Sequence, residues 1–227
     1  MTFPNTRAVL FDLDGTLLDT APDMAAALNV LRQEHALDPI PFEQIRQRVS
    51  LGASALIQIA FPLANEAEFA QKRARFLEIY GDSLAVTTQP YEGLADVLAR
   101  LESVRIPWGV VTDKPARFTE PLLEALALRH RAAVVVSGDT LAHRKPHPAP
   151  LLHAAMQLGI DPAECIYIGD AERDVLAARA AGMKVYVATF GYIPVHARPN
   201  EWPANGWLGT PQALVSLVDS IIAGATG

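Results

Sequence analysis

The sequence predicts an α/β protein: an open parallel sheet with helices on both faces, interrupted after its first strand by a block of helices. Three observations carry this. Short apolar runs recur along the chain, as expected of strands buried on both faces. After Pro90 these runs alternate with segments of helical spacing. Between Pro22 and about Ser83 there is almost no strand signal, only apolar residues at helical intervals.

The elements follow in order. Ala8 to Phe11 is an apolar run that ends in acidic residues and a glycine, and it reads as a buried parallel strand. Pro22 sits where a first helical turn tolerates it. Leu28 and Leu31 begin one apolar face. Phe42, Ile45 and Val49 predict a second helix, Ala55, Leu56 and Ile59 a third, and Phe69, Phe76, Leu77 and Tyr80 a fourth. Such a block makes a small helical bundle. Beyond Pro90, helices are expected over Leu94 to Leu101, Phe118 to Leu128, Pro150 to Leu158, Val175 to Ala181 and Gln212 to Ile222. Strands are expected over Pro107 to Val111, Ala133 to Val136, Cys165 to Ile168 and Lys184 to Ala188. Gly191 to Gly209 reads as irregular, with Trp207 and Leu208 as an edge strand.

Bulk properties exclude several classes. Half of the 227 residues are apolar and 19% are charged, which rules out a disordered chain and allows a substantial core. The net charge is -6 and no Lys/Arg run marks a nucleic-acid groove. Cys165 is the only cysteine, so no internal disulfide forms; within CIYIG it reads as a buried thiol rather than a nucleophile. The start, MTFPNTRAVLF, reaches an aspartate before any run of signal-peptide length, and no segment approaches a membrane span. A cytoplasmic protein with no membrane partner is the expectation. Oligomeric state stays open between monomer and homodimer.

Polar residues cluster where strands end. Asp12, Asp14, Gly15 and Thr16 follow the first strand; Thr112, Asp113 and Lys114 follow the second. Lys145 lies in a loop after the third, and Gly169, Asp170 and Asp174 follow the fourth. Ligands of open α/β sheets bind at these carboxyl ends, where the strand order reverses. With a strand order of 3-2-1-4-5, two acidic clusters would meet there. Crowded carboxylates repel and resist desolvation, and a hard divalent cation removes both problems. Magnesium is the expected cofactor. Asp12 and Asp170 are the side-chain ligands, and Asp174 binds directly or through water. The six histidines are scattered without an HExxH motif, against a zinc site.

The same residues suit phosphoryl chemistry on a small phosphorylated metabolite. A carboxylate such as Asp12 can attack phosphorus and form an acyl phosphate. Asp14, two residues on, is spaced to protonate the leaving oxygen and then to activate water. Gly15 permits the turn, and backbone N–H groups there can cradle phosphate oxygens. Thr112 can donate to a phosphoryl oxygen, and Lys145 supplies fixed positive charge. Asp19 and Asp23 read as local caps or surface charges, and Asp113 as cap or orienting residue. A carboxylate on the substrate would call for a cation, and Arg46, Arg48 and Arg117 are candidates.

DLDGTLLDT at Asp12 to Thr20 resembles the first motif of the haloacid dehalogenase-like (HAD) hydrolases. VVTDKP at Val110 to Pro115 resembles the second, RKPHPAP around Lys145 the third, and IGDAERD ending at Asp174 the fourth. The resemblance implies a HAD-like Rossmannoid core over 1–19 and 87–227, with an inserted helical C1-type cap over 20–86. It implies Asp12 as nucleophile and Asp14 as general acid/base. Asp12, the Asp14 carbonyl and Asp170 would hold magnesium, supported by Asp174. Thr112 and Lys145 would bind the phosphoryl group, with Gly15, Thr16 and Asp113 beside it. The loop Ser50 to Ser54, with Gly52, is similar in position to the family's substrate-facing loop. Asp14 argues against a dehalogenase, and Lys72, the only lysine of the cap, has no surroundings that suit a Schiff base. A receiver domain, an inactive phosphate-binding module, a sugar-phosphate mutase and a dinucleotide-binding fold are weaker fits; no GxGxxG follows the first strand. Within the phosphatases, WGVVTDKPARFTEPLLEALAL and RKPHPAPLL resemble phosphoglycolate phosphatases, the leading reading. VSLGASALIQIAF and FGYIPVHARPNEW are similar to N-acetylmuramic acid 6-phosphate phosphatases, the alternative. Two departures stand out: Asp113 and Arg173 occupy positions where these relatives commonly carry Asn.

Overall fold

The computed structural model describes residues 6–225. The chain opens with β1 (Ala8–Phe11), whose four residues are all buried. A two-residue strand, β2 (Leu18–Asp19), leads into the helical block: α1 (Ala21–Glu34), α2 (Phe42–Arg46), α3 (Ala53–Ala60) and α4 (Glu66–Asp82). β3 (Gln89–Pro90) returns the chain. Then come α5 (Leu94–Ser103), β4 (Trp108–Val111), α6 (Ala116–Ala125), β5 (Val134–Val136) and α7 (Ala149–Leu158). The rest is β6 (Cys165–Gly169), α8 (Glu172–Ala180), β7 (Lys184–Ala188), β8 (Gly206–Leu208) and α9 (Pro211–Ala225).

The main sheet has the order β5-β4-β1-β6-β7-β8 and every pairing in it is parallel. Its first five strands follow the expected 3-2-1-4-5 order, and β8 adds the expected edge. β1 and β6 are neighbours at the switch point, with Phe11 opposite Ile168. Both faces are covered, which is why the central strands are continuously apolar. Val9, Phe11, Val110 and Ile168 pack with Leu98, Leu122 and Leu217 of α5, α6 and α9. Leu10, Tyr167 and Val185 pack with Leu151 and Val175 of α7 and α8. The helical block has its own core around Leu28, Leu56, Phe76 and Tyr80, joined by Phe118 and Tyr192 from the sheet side. Among the described residues no helix is long and apolar enough to cross a membrane.

Several expectations need correction. The second helix does not run from Phe42 through Val49. It stops at Arg46, and Val49–Leu51 form a 3-10 turn. The chain bends here so that Ser50 reaches the sheet, and Gly52 (φ +84°) then resets direction for α3. A side chain at Gly52 would meet open space, so the backbone angle and not crowding demands glycine. The helix expected to Leu128 ends at Ala125, with Ala127 left-handed at φ +54°. The ribbon β2–β3 was not foreseen; its strands are too short for a periodic signal.

Asp23 is no surface charge. It is 3% exposed and accepts hydrogen bonds from the backbone N–H and hydroxyl of both Thr87 and Thr88. This ties the first turn of α1 to the segment that leaves the helical block. Burial alone would raise the Asp23 pKa, but the four donors outweigh it and hold the carboxyl below its ordinary value. The stabilisation is therefore complete above the ordinary aspartate pKa and is lost as pH falls through the lowered folded-state value. Asp23→Ala strands buried donors and is expected to cost about 3 kcal/mol in urea unfolding at neutral pH. The deficit relative to the parent should shrink in strongly acidic solution.

Candidate active site

Because β1 and β6 are paired in register, the residues after them emerge side by side. The Asp12 N–H donates to the Ile168 carbonyl at 2.8 Å, just before Asp170. One oxygen each from Asp12, Asp170 and Asp174 lies within 4.8 Å of the other two, and all three residues are buried. Asp170 is held by one oxygen only: Oδ2 accepts from Ser50 Oγ at 2.6 Å and from the Tyr192 N–H at 2.8 Å. Its Oδ1 is buried without a donor. A lone buried carboxylate oxygen facing two further carboxylates is what a divalent cation satisfies. The donor set, all oxygen and no sulfur or imidazole, fits magnesium.

Lys145 is the fixed counter-charge. Its Nζ lies 3.0 Å from Asp12 Oδ1 and 2.6 Å from Asp174 Oδ1, and donates to the Val111 carbonyl and the Tyr167 hydroxyl. Burial pushes the lysine pKa down, but Asp12 and Asp174 more than offset this and raise it. Asp12 Oδ1 also accepts from the Leu13 N–H at 2.8 Å, and no donor among the described residues engages its Oδ2. Both oxygens of Asp174 are engaged, by Lys145 and by the Ala171 N–H at 3.0 Å. Asp174 thus shapes the cluster more than it offers a free ligand atom.

Gly15 explains the tightness of the turn. A Cβ there would sit 2.2 Å from Asp170 Oδ2, and the residue has φ +79°. Gly15 and Thr16 do not line the cleft above; Thr16 is fully buried and its hydroxyl has no partner. The cleft itself has a volume of about 290 Å³ and opens between sheet and helical block. Asp12, Asp14, Thr112, Asp113, Lys145 and Gly52 all line it. Thr112 Oγ accepts from the Lys114 N–H at 3.2 Å, which leaves its hydroxyl proton uncommitted.

Asp14 is anchored by partners the sequence did not reveal. Its Oδ1 accepts from Thr20 Oγ1 at 2.6 Å and from Lys114 Nζ at 2.9 Å. Lys114 therefore does not neutralise Asp113. Asp113 pairs instead with Arg173, Nε to Oδ2 at 2.8 Å. Asp19 is neither cap nor free surface charge; it accepts from the Tyr192 hydroxyl at 2.7 Å. Of the three candidate arginines, only Arg117 reaches the cleft. Arg46 donates to the Phe190 carbonyl and lies over the Tyr192 ring, and Arg48 lines a separate groove within the helical block. Lys72 lines that groove too, over the Phe61 ring. Arg73 and Arg144, which the sequence did not single out, do line the cleft. Burial raises the Cys165 thiol to about 11, aided by Glu164 and Asp161, so it is an inert core residue.

A family model described as haloacid dehalogenase-like hydrolase matches residues 9–188. The chain belongs to that family. It is a phosphatase of the HAD type, with an aspartate-based, metal-binding site. An N-acetylmuramic acid 6-phosphate phosphatase of Pseudomonas aeruginosa is 42% identical over 94% of this chain and 95% of its own length. A phosphoglycolate phosphatase of Xanthomonas campestris is 44% identical over 94% of this chain and 96% of its own. A crystal structure described as a predicted phosphoglycolate phosphatase from Haemophilus somnus superposes with a TM-score of 0.83. It is 25% identical and covers 94% of this chain and 98% of that one. The HAD fold thus accounts for the parallel sheet and the helical cap inserted after β1.

The electrostatics give a direct test of the metal site. Burial raises the Asp12 carboxyl to about 8; Lys145 opposes the rise, while Asp174 and Asp170 add to it. Burial, with Asp174, raises Asp170 to about 6. A cation must displace these protons. Magnesium affinity is expected to climb with pH, by about tenfold per unit between 6 and 8 and more steeply below 6, and to level off above 8. Isothermal titration calorimetry in buffers of different ionisation enthalpy would show the accompanying proton release.

Proposed function

We propose that this enzyme hydrolyses a carboxylate-bearing phosphomonoester through an aspartyl-phosphate on Asp12, and that the alcohol released is an amino-sugar acid such as N-acetylmuramic acid. The observation that carries the substrate class is the cleft. Its volume of about 290 Å³ is roughly twice the ~150 Å³ of an engineered cavity that accepts benzene. A phosphate and a two-carbon acid would leave much of it empty. Arg73, Arg117 and Arg144 line it and none has a carboxylate partner among the described residues. Met24, Leu77 and Phe118 give it an apolar wall. The second reading is 2-phosphoglycolate, favoured by the 44% identity to the Xanthomonas enzyme.

The roles follow from the contacts. Asp12 attacks phosphorus through Oδ2, the oxygen free of donors, while the Leu13 N–H and Lys145 fix Oδ1. Asp14 delivers a proton to the leaving alcohol and then takes one from the water that hydrolyses the acyl phosphate. Thr112 donates its uncommitted hydroxyl proton to a phosphoryl oxygen, and Lys145 opposes the charge that builds there. Asp12, Asp170 and the Asp14 carbonyl would hold magnesium, which would supply charge neutralisation at the site. Residues 1–19 and 87–227 form the catalytic core in this reading and 20–86 the cap; 1–5 and 226–227 lie outside the described residues. The reading also places the enzyme in the cytoplasm.

Asp12→Asn should abolish turnover and leave the thermal midpoint near the parent's, since Lys145 keeps Asp174 as its partner and the repulsion of Asp12 by Asp174 and Asp170 is relieved. Residual parent-like activity would reject the nucleophile. For the substrate, kcat/KM is compared with magnesium on N-acetylmuramic acid 6-phosphate and 2-phosphoglycolate. The larger ester should be preferred by at least tenfold, and Arg117→Ala should raise its KM about tenfold while sparing p-nitrophenyl phosphate. A preference for 2-phosphoglycolate would replace the first reading with the second.

A further inference from the structure

Asp113 and Arg173 meet in space. Arg173 Nε lies 2.8 Å from Asp113 Oδ2, and Asp113 Oδ1 accepts from the Lys145 N–H at 3.3 Å. The other end of the same guanidinium leaves the core: Arg173 Nη2 donates to the carbonyl of Ser50, in the cap. Ser50 is 5% exposed, and its hydroxyl holds Asp170 Oδ2 together with the Tyr192 N–H. A continuous set of contacts therefore runs from the loop after β4, through the first turn of α8, into the cap and back to the carboxylate cluster.

The charges of the two residues are complementary. Arg173 faces Asp174, Asp12, Asp113 and Asp170, so it adds a second cation to a cluster otherwise served by Lys145. An aspartate at 113 without that cation would add repulsion. An arginine at 173 without Asp113 would lose the ion pair, made at 2.8 Å without hydrogen-bond geometry, that holds its guanidinium against the core.

We propose that Arg173 is a positioning residue that latches the cap. Fastened to the core by Asp113, it seats Ser50 on Asp170. Seating Ser50 adds a second donor to Asp170 Oδ2 beside the Tyr192 N–H, and so steadies the carboxylate with Oδ1 left for the cation. The latch does not depend on which ester is the substrate.

Hydrogen exchange of the full-length, metal-free protein tests this. In Arg173→Ala, amides of residues 48–54 should exchange about tenfold faster or more, while those of α4 keep their parent rates. With p-nitrophenyl phosphate and magnesium, kcat should fall about tenfold with KM little changed. Asp113→Asn should reproduce both effects in weaker form, and Asp113→Asn/Arg173→Ala should be no worse than Arg173→Ala alone. Ser50→Ala keeps the backbone carbonyl, so it should retain loop protection but weaken magnesium binding in calorimetry. Parent-like exchange at 48–54 in Arg173→Ala would overturn the proposal. So would independent, multiplying effects of the two substitutions. If Arg173→Ala does not fold, Asp113→Asn decides alone: unchanged exchange at 48–54 rejects the latch.

Discussion

Three carboxylates converge where β1 and β6 end, and most of the surrounding structure answers their mutual repulsion. The convergence is not a choice made at the site. Parallel pairing of β1 with β6 sets Phe11 beside Ile168, and the next residues have to emerge together. In a buried setting, carboxylates this close cannot all stay ionised without compensation. Lys145 is therefore completely enclosed, pinned by the Val111 carbonyl and the Tyr167 hydroxyl as well as by two aspartates. Arg173 is pinned in turn by Asp113. The loops beyond β4 and β5 and the start of α8 owe their shapes to holding cations in place, and the remaining charge deficit is what a divalent ion fills.

The cap enters the same electrostatic system. Lys114 pairs with Asp14, and its ammonium lies 4.8 Å from the ring centre of Tyr80, a residue of α4. Burial lowers the Lys114 pKa, but Asp14 first and Tyr80 next reverse this and raise it. Thr20, which holds the same Asp14 oxygen, sits at the entry to α1. Residues of cap and core thus share charges and hydrogen bonds at the cleft floor, so the position of the cap and the state of the catalytic groups are coupled by contact.

Much of this was legible in the sequence, for reasons that differ between residues. The apolar runs at Ala8–Phe11 and Cys165–Gly169 announced buried strands because strands covered on both faces have no room for polar residues. Asp12, Asp170 and Lys145 were found because each follows a strand or its loop in one parallel sheet, where topology alone brings them together. What stayed hidden depended on pairings between distant segments. Asp23 looks like a helix-start acid until Thr87 and Thr88 are seen around it. Asp113 reads locally as a cap or orienting residue, yet it and its neighbour Lys114 both turn to residues far along the chain, Arg173 and Asp14. Tyr192 lies in a stretch with no periodic pattern and still touches Asp170, Asp19 and Ala21.

The ribbon β2–β3 has a consequence for how such a chain tolerates change. Leu18 pairs with Pro90 and Asp19 with Gln89, so the strand that departs for the cap and the strand that returns run antiparallel, shoulder to shoulder. The sheet meets the inserted helices through a single narrow gate with both posts already joined. Whatever lies beyond that gate adds nothing to the path the chain must take through the core. An insert of different length or shape can be exchanged there without altering strand order, since the ends it must connect are already adjacent. The sheet with its acidic cluster and the inserted helices are, in this sense, separable pieces of one continuous chain.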